Sequence, residues 1–192
     1  MIRSLLLLVA WSGCAAAVEL HVQFGALERM LAEQVFSQEG RRYVHGSKTN
    51  KCNFAYLEKP QVRGEGGRLR MKARFTGRTA WNVVGQCVGL GDAFDVVITA
   101  LPVYQNGAIS LQAVKVASDG KSGYYIRRVC EAMQASLAKE FKYPLEAEAQ
   151  KLLEAAGAQP GYKRDVRKFA VPDIRVTNDA LVLQVDFELT VK

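Results

Sequence analysis

Residues 68–81 have the sequence RLRMKARFTGRTAW, in which apolar and cationic side chains alternate. Successive side chains of a β-strand point to opposite faces, so this alternation predicts a long strand with one apolar and one basic face. The apolar face comprises Leu69, Met71, Ala73, Phe75, Thr79 and Trp81. Such a strand needs a second layer to bury that face.

Five further strands are predicted from similar patterns, at residues 52–57, 94–103, 109–117, 166–177 and 181–191. A short strand at residues 18–24 is a weaker expectation of the same kind. The Asn106-Gly107 pair between two of these strands is typical of a two-residue hairpin turn. The last strand alternates strictly between apolar and polar residues, as expected for a strand with one buried face. The sequence therefore predicts an antiparallel meander followed by a C-terminal strand pair.

Helices are predicted at residues 25–38, 125–141 and 145–156, where apolar residues recur every three or four positions. Pro144 separates the last two helices, because proline disfavours helical dihedral angles in the residue before it. Runs of strands and helices, without strict alternation, favour an α+β fold. We expect a curved antiparallel β-sheet that wraps the long amphipathic helix at residues 125–141.

The first seventeen residues have the three parts of a secretory signal peptide. Arg3 provides the positive charge, residues 5–11 form an apolar segment, and the sequence Ala15-Ala16-Ala17 predicts cleavage before Val18. The domain assignment is thus a signal peptide at 1–17 and a single α+β domain at 18–192, periplasmic or secreted after cleavage. Residues 11–14 also resemble a lipobox, in which an acylated Cys14 would anchor the protein to a membrane.

Three cysteines follow the predicted signal peptide. Cys52 and Cys87 flank predicted strands and are the expected disulfide pair, since an oxidising compartment permits such bonds. Cys130 lies on the apolar face of the long predicted helix, where a buried thiol is expected.

Catalytic chemistry finds little support in this sequence. Neither of the two histidines, His21 and His45, has a carboxylate or cysteine at the spacing of metal ligands. The Gly120-Lys121-Ser122 tripeptide lacks the upstream glycine of a phosphate-binding loop. We therefore predict no catalytic residues, no metal and no cofactor.

A row of basic side chains is predicted on the outer face of the strand at residues 68–81: Arg68, Arg70, Lys72, Arg74 and Arg78. The predicted neighbouring strand offers only Asp95 to neutralise it, and the whole chain has a net charge of +7. One interpretation is an ordinary solvated strand face. The other is contact with an anionic membrane surface, whereas nucleic acid is not expected because aromatic stacking positions are missing from the row.

The order of elements resembles that of bacterial periplasmic proteins of the tubular lipid-binding (TULIP, BPI-like) class. The resemblance is carried by residues 56–62 (YLEKPQV), 68–75, 95–101, 109–116 and 171–189. It implies a TULIP-like half-barrel with an apolar groove between sheet and helix that holds lipid. The residues expected to line that groove are Leu69, Met71, Phe75, Trp81, Phe94, Val96, Ile98, Ile126, Met133 and Leu137.

Two functional hypotheses follow. The first is an exported, non-enzymatic binder of lipid or another hydrophobic ligand, which also docks on anionic membranes. The second is an exported structural or interaction domain with a filled core and a basic docking face. An exported hydrolase is a third and weaker alternative, and the sequence predicts no oligomeric state.

Overall fold

The computed structural model describes residues 18–155 and 164–191. The predicted signal peptide and Cys14 lie outside these residues. The elements, in chain order, are β1 (Val18–Gln23), α1 (Phe24–Gln34), β2 (Arg41–His45), β3 (Asn53–Glu65), β4 (Arg68–Val83), β5 (Gln86–Gln105), β6 (Ala108–Asp119), α2 (Tyr124–Glu140), β7 (Lys142–Tyr143), α3 (Leu145–Ala155), β8 (Arg164–Val176) and β9 (Ala180–Val191).

Two antiparallel sheets organise the protein. The larger sheet is a strongly curved half-barrel of six strands in the order β2-β3-β4-β5-β6-β7, and the smaller one has the order β1-β9-β8. Each strand of the larger sheet pairs with its neighbour in sequence, which confirms the predicted meander. The α+β class and the antiparallel sheet are likewise confirmed.

The three long hairpins of the meander share one turn geometry. In each hairpin (β3–β4, β4–β5 and β5–β6), two residues lie between the last paired residues of the two strands. Both turn residues have positive φ in each case, as the twist of a hairpin requires. The predicted Asn106-Gly107 turn, with φ of 51° and 77°, is one of them.

The main hydrophobic core lies on the concave face of the larger sheet. Phe75 of β4 packs there against Phe94 of β5, with 4.9 Å between the ring centroids. Helix α2 contributes Ile126, Cys130 and Met133 to the same cluster and packs mainly against β6.

The cover of this sheet differs from the prediction of one long wrapped helix. Helix α2 has 17 residues, and part of the cover comes from Leu31, near the end of α1, and from Val35 and Phe36 just after it. A second cluster, which includes Val62 of β3 and Leu183 of β9, joins the two sheets.

Strand β3 is longer than predicted because it accommodates Pro60. The pairing register with β4 shifts between Glu58 and Gln61, and Lys59 has a positive φ of 54°. Proline cannot donate a hydrogen bond to a strand ladder, and a bulge of this kind removes the need for one.

Candidate functional site

Strands β4 and β5 continue beyond the rest of the larger sheet. The first paired residue of β3, Asn53, lies opposite Thr79, and the last paired residue of β6, Asp119, lies opposite Asp95. Residues 79–91 therefore form a projecting hairpin, two-stranded from Ala80 to Gly89, that we call the ribbon. Between Arg78 and Asp92 the ribbon contains no charged residue, although 23% of the chain is charged.

The ribbon exposes large apolar side chains to solvent. Trp81 is 77% exposed, Leu90 76% and Val84 98%, while Val83 and Val88 are about half exposed. Trp81 lies opposite Val88, and Thr79 opposite Leu90, so these side chains share one face.

That face is the continuation of the core. Phe75 and Phe94, which are paired and buried, lie at the same parity along β4 and β5 as Trp81 and Leu90. The core face thus extends past the helices that cover it.

The tip of the ribbon adopts an unfavourable turn. Val84 has a φ of 49° and Gly85 a φ of 79°. Glycine adopts positive φ at no cost, whereas a β-branched residue there is a true outlier that costs on the order of 1–3 kcal/mol. An apolar side chain therefore occupies the most exposed position of the hairpin, where asparagine is the usual residue.

The ribbon is covalently fastened near its tip, because Cys87 lies opposite Asn82, one pair before the turn. Cys52, just before β3, forms a disulfide with Cys87 of β5 across a sequence separation of 35 residues, and this confirms the predicted pair. Arg78 Nη2 donates a hydrogen bond of 3.0 Å to the Cys87 carbonyl. Cys130 is free and buried, as predicted, and burial raises the pKa of its thiol.

The basic row lies on the convex face, as the alternation predicts, but it is neutralised more fully than expected. Arg74 pairs with Asp95 at 3.0 Å, and Lys72 pairs with Asp119 at 2.8 Å. Asp119 belongs to β6, one strand beyond β5, which carries Asp95. Arg74 lowers the pKa of Asp95 by its hydrogen bond, and Asp119 raises the pKa of Lys72 in the same way.

The other three members of the row differ from one another. Arg70 pairs with Glu65 at 3.0 Å. Arg68 Nη1 is buried and has no hydrogen-bond partner among the described residues. Arg78 is exposed, lies at the base of the ribbon and enters none of the ion pairs seen in residues 18–155 and 164–191.

The residues predicted to line an internal groove fall into three groups. Six are buried together in the main core: Phe75, Phe94, Val96, Ile98, Ile126 and Met133. Met71 and Leu137 pack against the same core, and Leu69 packs against the second cluster. Trp81 is separate from all of them, because it lies on the exposed ribbon.

A second feature lies on the convex face, where β2 and β3 meet. A groove of about 370 Å³, which we call the basic groove, is lined by Arg41, Tyr43, Lys48, Asn50, Lys51, Phe54 and Tyr56. The Phe54 and Tyr56 rings are stacked at 5.8 Å, and the Arg41 guanidinium lies over the Tyr56 ring at 4.6 Å. The lining contains three cations and no carboxylate.

Neither feature was predicted from the sequence. The absence of charge from residues 79–91 was a visible signal for the ribbon. The basic groove gave no such signal, because it combines β2, a strand that was not predicted, with β3.

Within the described part of the chain, no group of three or more potential ligands is placed to hold a metal ion. No helix among the same residues has the length and apolarity needed to span a membrane. No protein-family model matches the chain, and neither a curated protein nor a solved structure shows detectable similarity to it.

Proposed function

We propose that this chain is an exported, non-enzymatic lipid-binding protein that attaches to anionic membrane surfaces through the ribbon. The observation that carries the proposal is the charge-free ribbon with Trp81, Val84 and Leu90 exposed. An apolar tip on a rigid projection is a feature that water disfavours and a lipid interface favours.

The dimensions of the ribbon suit an interfacial depth. The stretch from Thr79 to Val83 extends at most about 14 Å at roughly 3.4 Å per residue, which is enough to pass the headgroups and reach the outer acyl chains. Deeper insertion is disfavoured because a two-stranded ribbon has unpaired backbone groups along both edges. Tryptophan is the side chain that best suits this boundary, since its ring is apolar and its N–H finds a polar partner.

The surroundings of the ribbon supply the charge for an anionic surface. Arg78 lies at the base, and the chain carries a net charge of +7. Each basic residue held near an anionic membrane contributes about 1 kcal/mol. The disulfide is of the kind that persists in oxidising compartments, which supports export.

In this proposal, lipid contacts the exposed ribbon on the surface and not an internal groove. The TULIP resemblance implies an internal groove, but most of its expected residues pack together in the core. The burial of these residues together also favours the second candidate, an interaction domain that docks on a protein partner. Membrane binding in a system of lipid and purified protein distinguishes the two candidates.

The test is co-sedimentation with vesicles of phosphatidylcholine that contain phosphatidylglycerol. Wild-type protein should bind at low salt and less at physiological salt, because exposed charges are screened over about 8–10 Å. In the mature chain that begins at Val18, Trp81 is the sole tryptophan, and its emission should shift to the blue on binding.

A matched pair of variants locates the contact. Leu90→Ser should weaken vesicle binding about tenfold, since about three quarters of a leucine side chain is worth roughly 1–2 kcal/mol on burial. Leu152→Ser is the control, because Leu152 of α3 is 71% exposed and lies outside the ribbon. Equal affinities for the two variants, or no binding by wild type at low salt, would refute the proposal.

A further inference from the structure

The basic groove begins at the base of the ribbon. Phe54, one of its lining residues, lies directly opposite Arg78 in the β3–β4 register. Lys51 precedes Cys52, which is bonded to Cys87 within the ribbon. From the row of Arg78 to that of Val83 the distance is at most about 17 Å at roughly 3.4 Å per residue. With the tip at the edge of the acyl layer, the groove therefore lies at the level of the headgroups.

The cations of the groove are available to bind an anion. Lys51 enters none of the ion pairs observed among the described residues. Arg41 is 3.6 Å from Glu58, and Lys48 pairs with Glu39, but these pairs are partly or fully exposed. Exposed pairs of this kind contribute little, so a phosphate can replace the carboxylates at small cost.

Aromatic rings fix the geometry of the arginine. The Tyr43 and Tyr56 ring centroids are 5.5 Å apart, and Phe54 stacks on Tyr56 with 13° between the ring planes. The Arg41 guanidinium rests on this floor. A planar guanidinium held in one orientation suits two-pronged hydrogen bonding to phosphate.

The loop that carries the two lysines is also ordered. Asn50 Oδ1 accepts hydrogen bonds from the backbone N–H groups of Cys52 and Asn53, at 3.3 and 2.9 Å. Gly46, with φ of 69°, lies so close to β3 that a Cβ there would be 2.5 Å from the Asn53 carbonyl oxygen. Lys48 and Lys51 are thus presented from a constrained turn.

We propose that the basic groove binds the phosphate of an anionic lipid headgroup while the ribbon beside it enters the acyl layer. The inference rests on the proposed function and adds a second, chemically distinct contact. The ribbon supplies affinity for any lipid interface, and the groove supplies the preference for a lipid with an exposed anionic phosphate, such as phosphatidic acid.

The first arm of the test uses sn-glycerol 3-phosphate, a soluble headgroup probe. Titration followed by NMR should shift the signals of Lys51, Phe54 and Tyr56 in the wild-type protein. Lys51→Gln should weaken binding of the probe about fivefold, on the scale of one basic residue near a phosphate. Lys139→Gln, which removes a lysine at the end of α2, is the matched control and should leave the titration unchanged.

The second arm uses vesicles of phosphatidylcholine with and without phosphatidic acid. Lys51→Gln should lose most of the preference for phosphatidic acid and keep the weak binding to phosphatidylcholine alone. If the probe binds to the wild type but Lys51→Gln keeps the wild-type preference for phosphatidic acid vesicles, the groove binds soluble phosphate esters and the headgroup assignment is wrong. If Lys51→Gln equals Lys139→Gln in both arms, the groove is not a phosphate site. Failure of the proposed function is seen separately, as a Leu90→Ser variant that binds like Leu152→Ser.

Discussion

Removal of the disulfide between Cys52 and Cys87 should destabilise the protein and release the ribbon. The bond joins cysteines 35 residues apart. In the chain-entropy account, a loop of that length constrains the unfolded chain by about 4 kcal/mol at 25 °C. We expect the Cys52→Ala, Cys87→Ala double variant to lose about that much free energy of unfolding.

Loss of the disulfide should also destabilise the ribbon locally. Beyond Asn53 the ribbon has only its own two strands, and isolated two-stranded hairpins are at best marginally stable in water. The unfavourable turn at Val84 weakens it further. Without the disulfide, backbone amides of Val83 and Val88 should exchange with solvent well before those of Phe75 and Phe94.

The assay is urea unfolding followed by far-ultraviolet circular dichroism, together with native-state hydrogen exchange. Cys130→Ala is the matched control, because it removes a cysteine that forms no disulfide. The control should lose about 1 kcal/mol or less, the cost of a small cavity. A double variant as stable as the control, with unchanged exchange in the ribbon, would show that the bond does not restrain this hairpin.

Two further predictions concern single residues. Val84→Asn should raise the free energy of unfolding by about 1 kcal/mol, because asparagine tolerates the positive φ of the turn. The same variant should bind vesicles more weakly, because it loses an exposed apolar side chain at the tip. A variant that is more stable and also binds vesicles more tightly contradicts the role given to the tip. Arg74 holds the pKa of Asp95 below its ordinary value of 3.8, so the stability from this pair is present above that pH and is lost as pH falls through the lower, folded-state pKa. Asp95→Asn should therefore be less stable than wild type in urea at neutral pH, with the difference closing at strongly acidic pH.

Much of the fold follows from local patterns in the sequence. The alternation at residues 68–81 assigned the faces of β4 correctly, with Phe75 inward and Arg74 outward. The Asn106-Gly107 turn and the Cys52–Cys87 pair also depend on short-range signals and strand placement, and both are present.

The candidate site depends on where neighbouring strands end, which local patterns do not encode. Trp81 has the parity of a core residue, and nothing in residues 68–81 shows that β3 starts only at Asn53. Asp119 neutralises Lys72 only because β6 continues far enough along β5 to bring the two together. Such distances between elements are set by the register of the whole sheet and not by any one segment.

The pairing of β1 with β9 has a consequence for the order of folding. The hairpins of the larger sheet join strands that are adjacent in sequence, whereas Val18 lies opposite Val185. Local contacts form faster than contacts between distant parts of a chain, because closing a long loop costs entropy before any contact stabilises it. During synthesis, which starts at the N-terminus, β1 must therefore remain unpaired until β9 has been made. Until then its exposed backbone groups can pair with other chains.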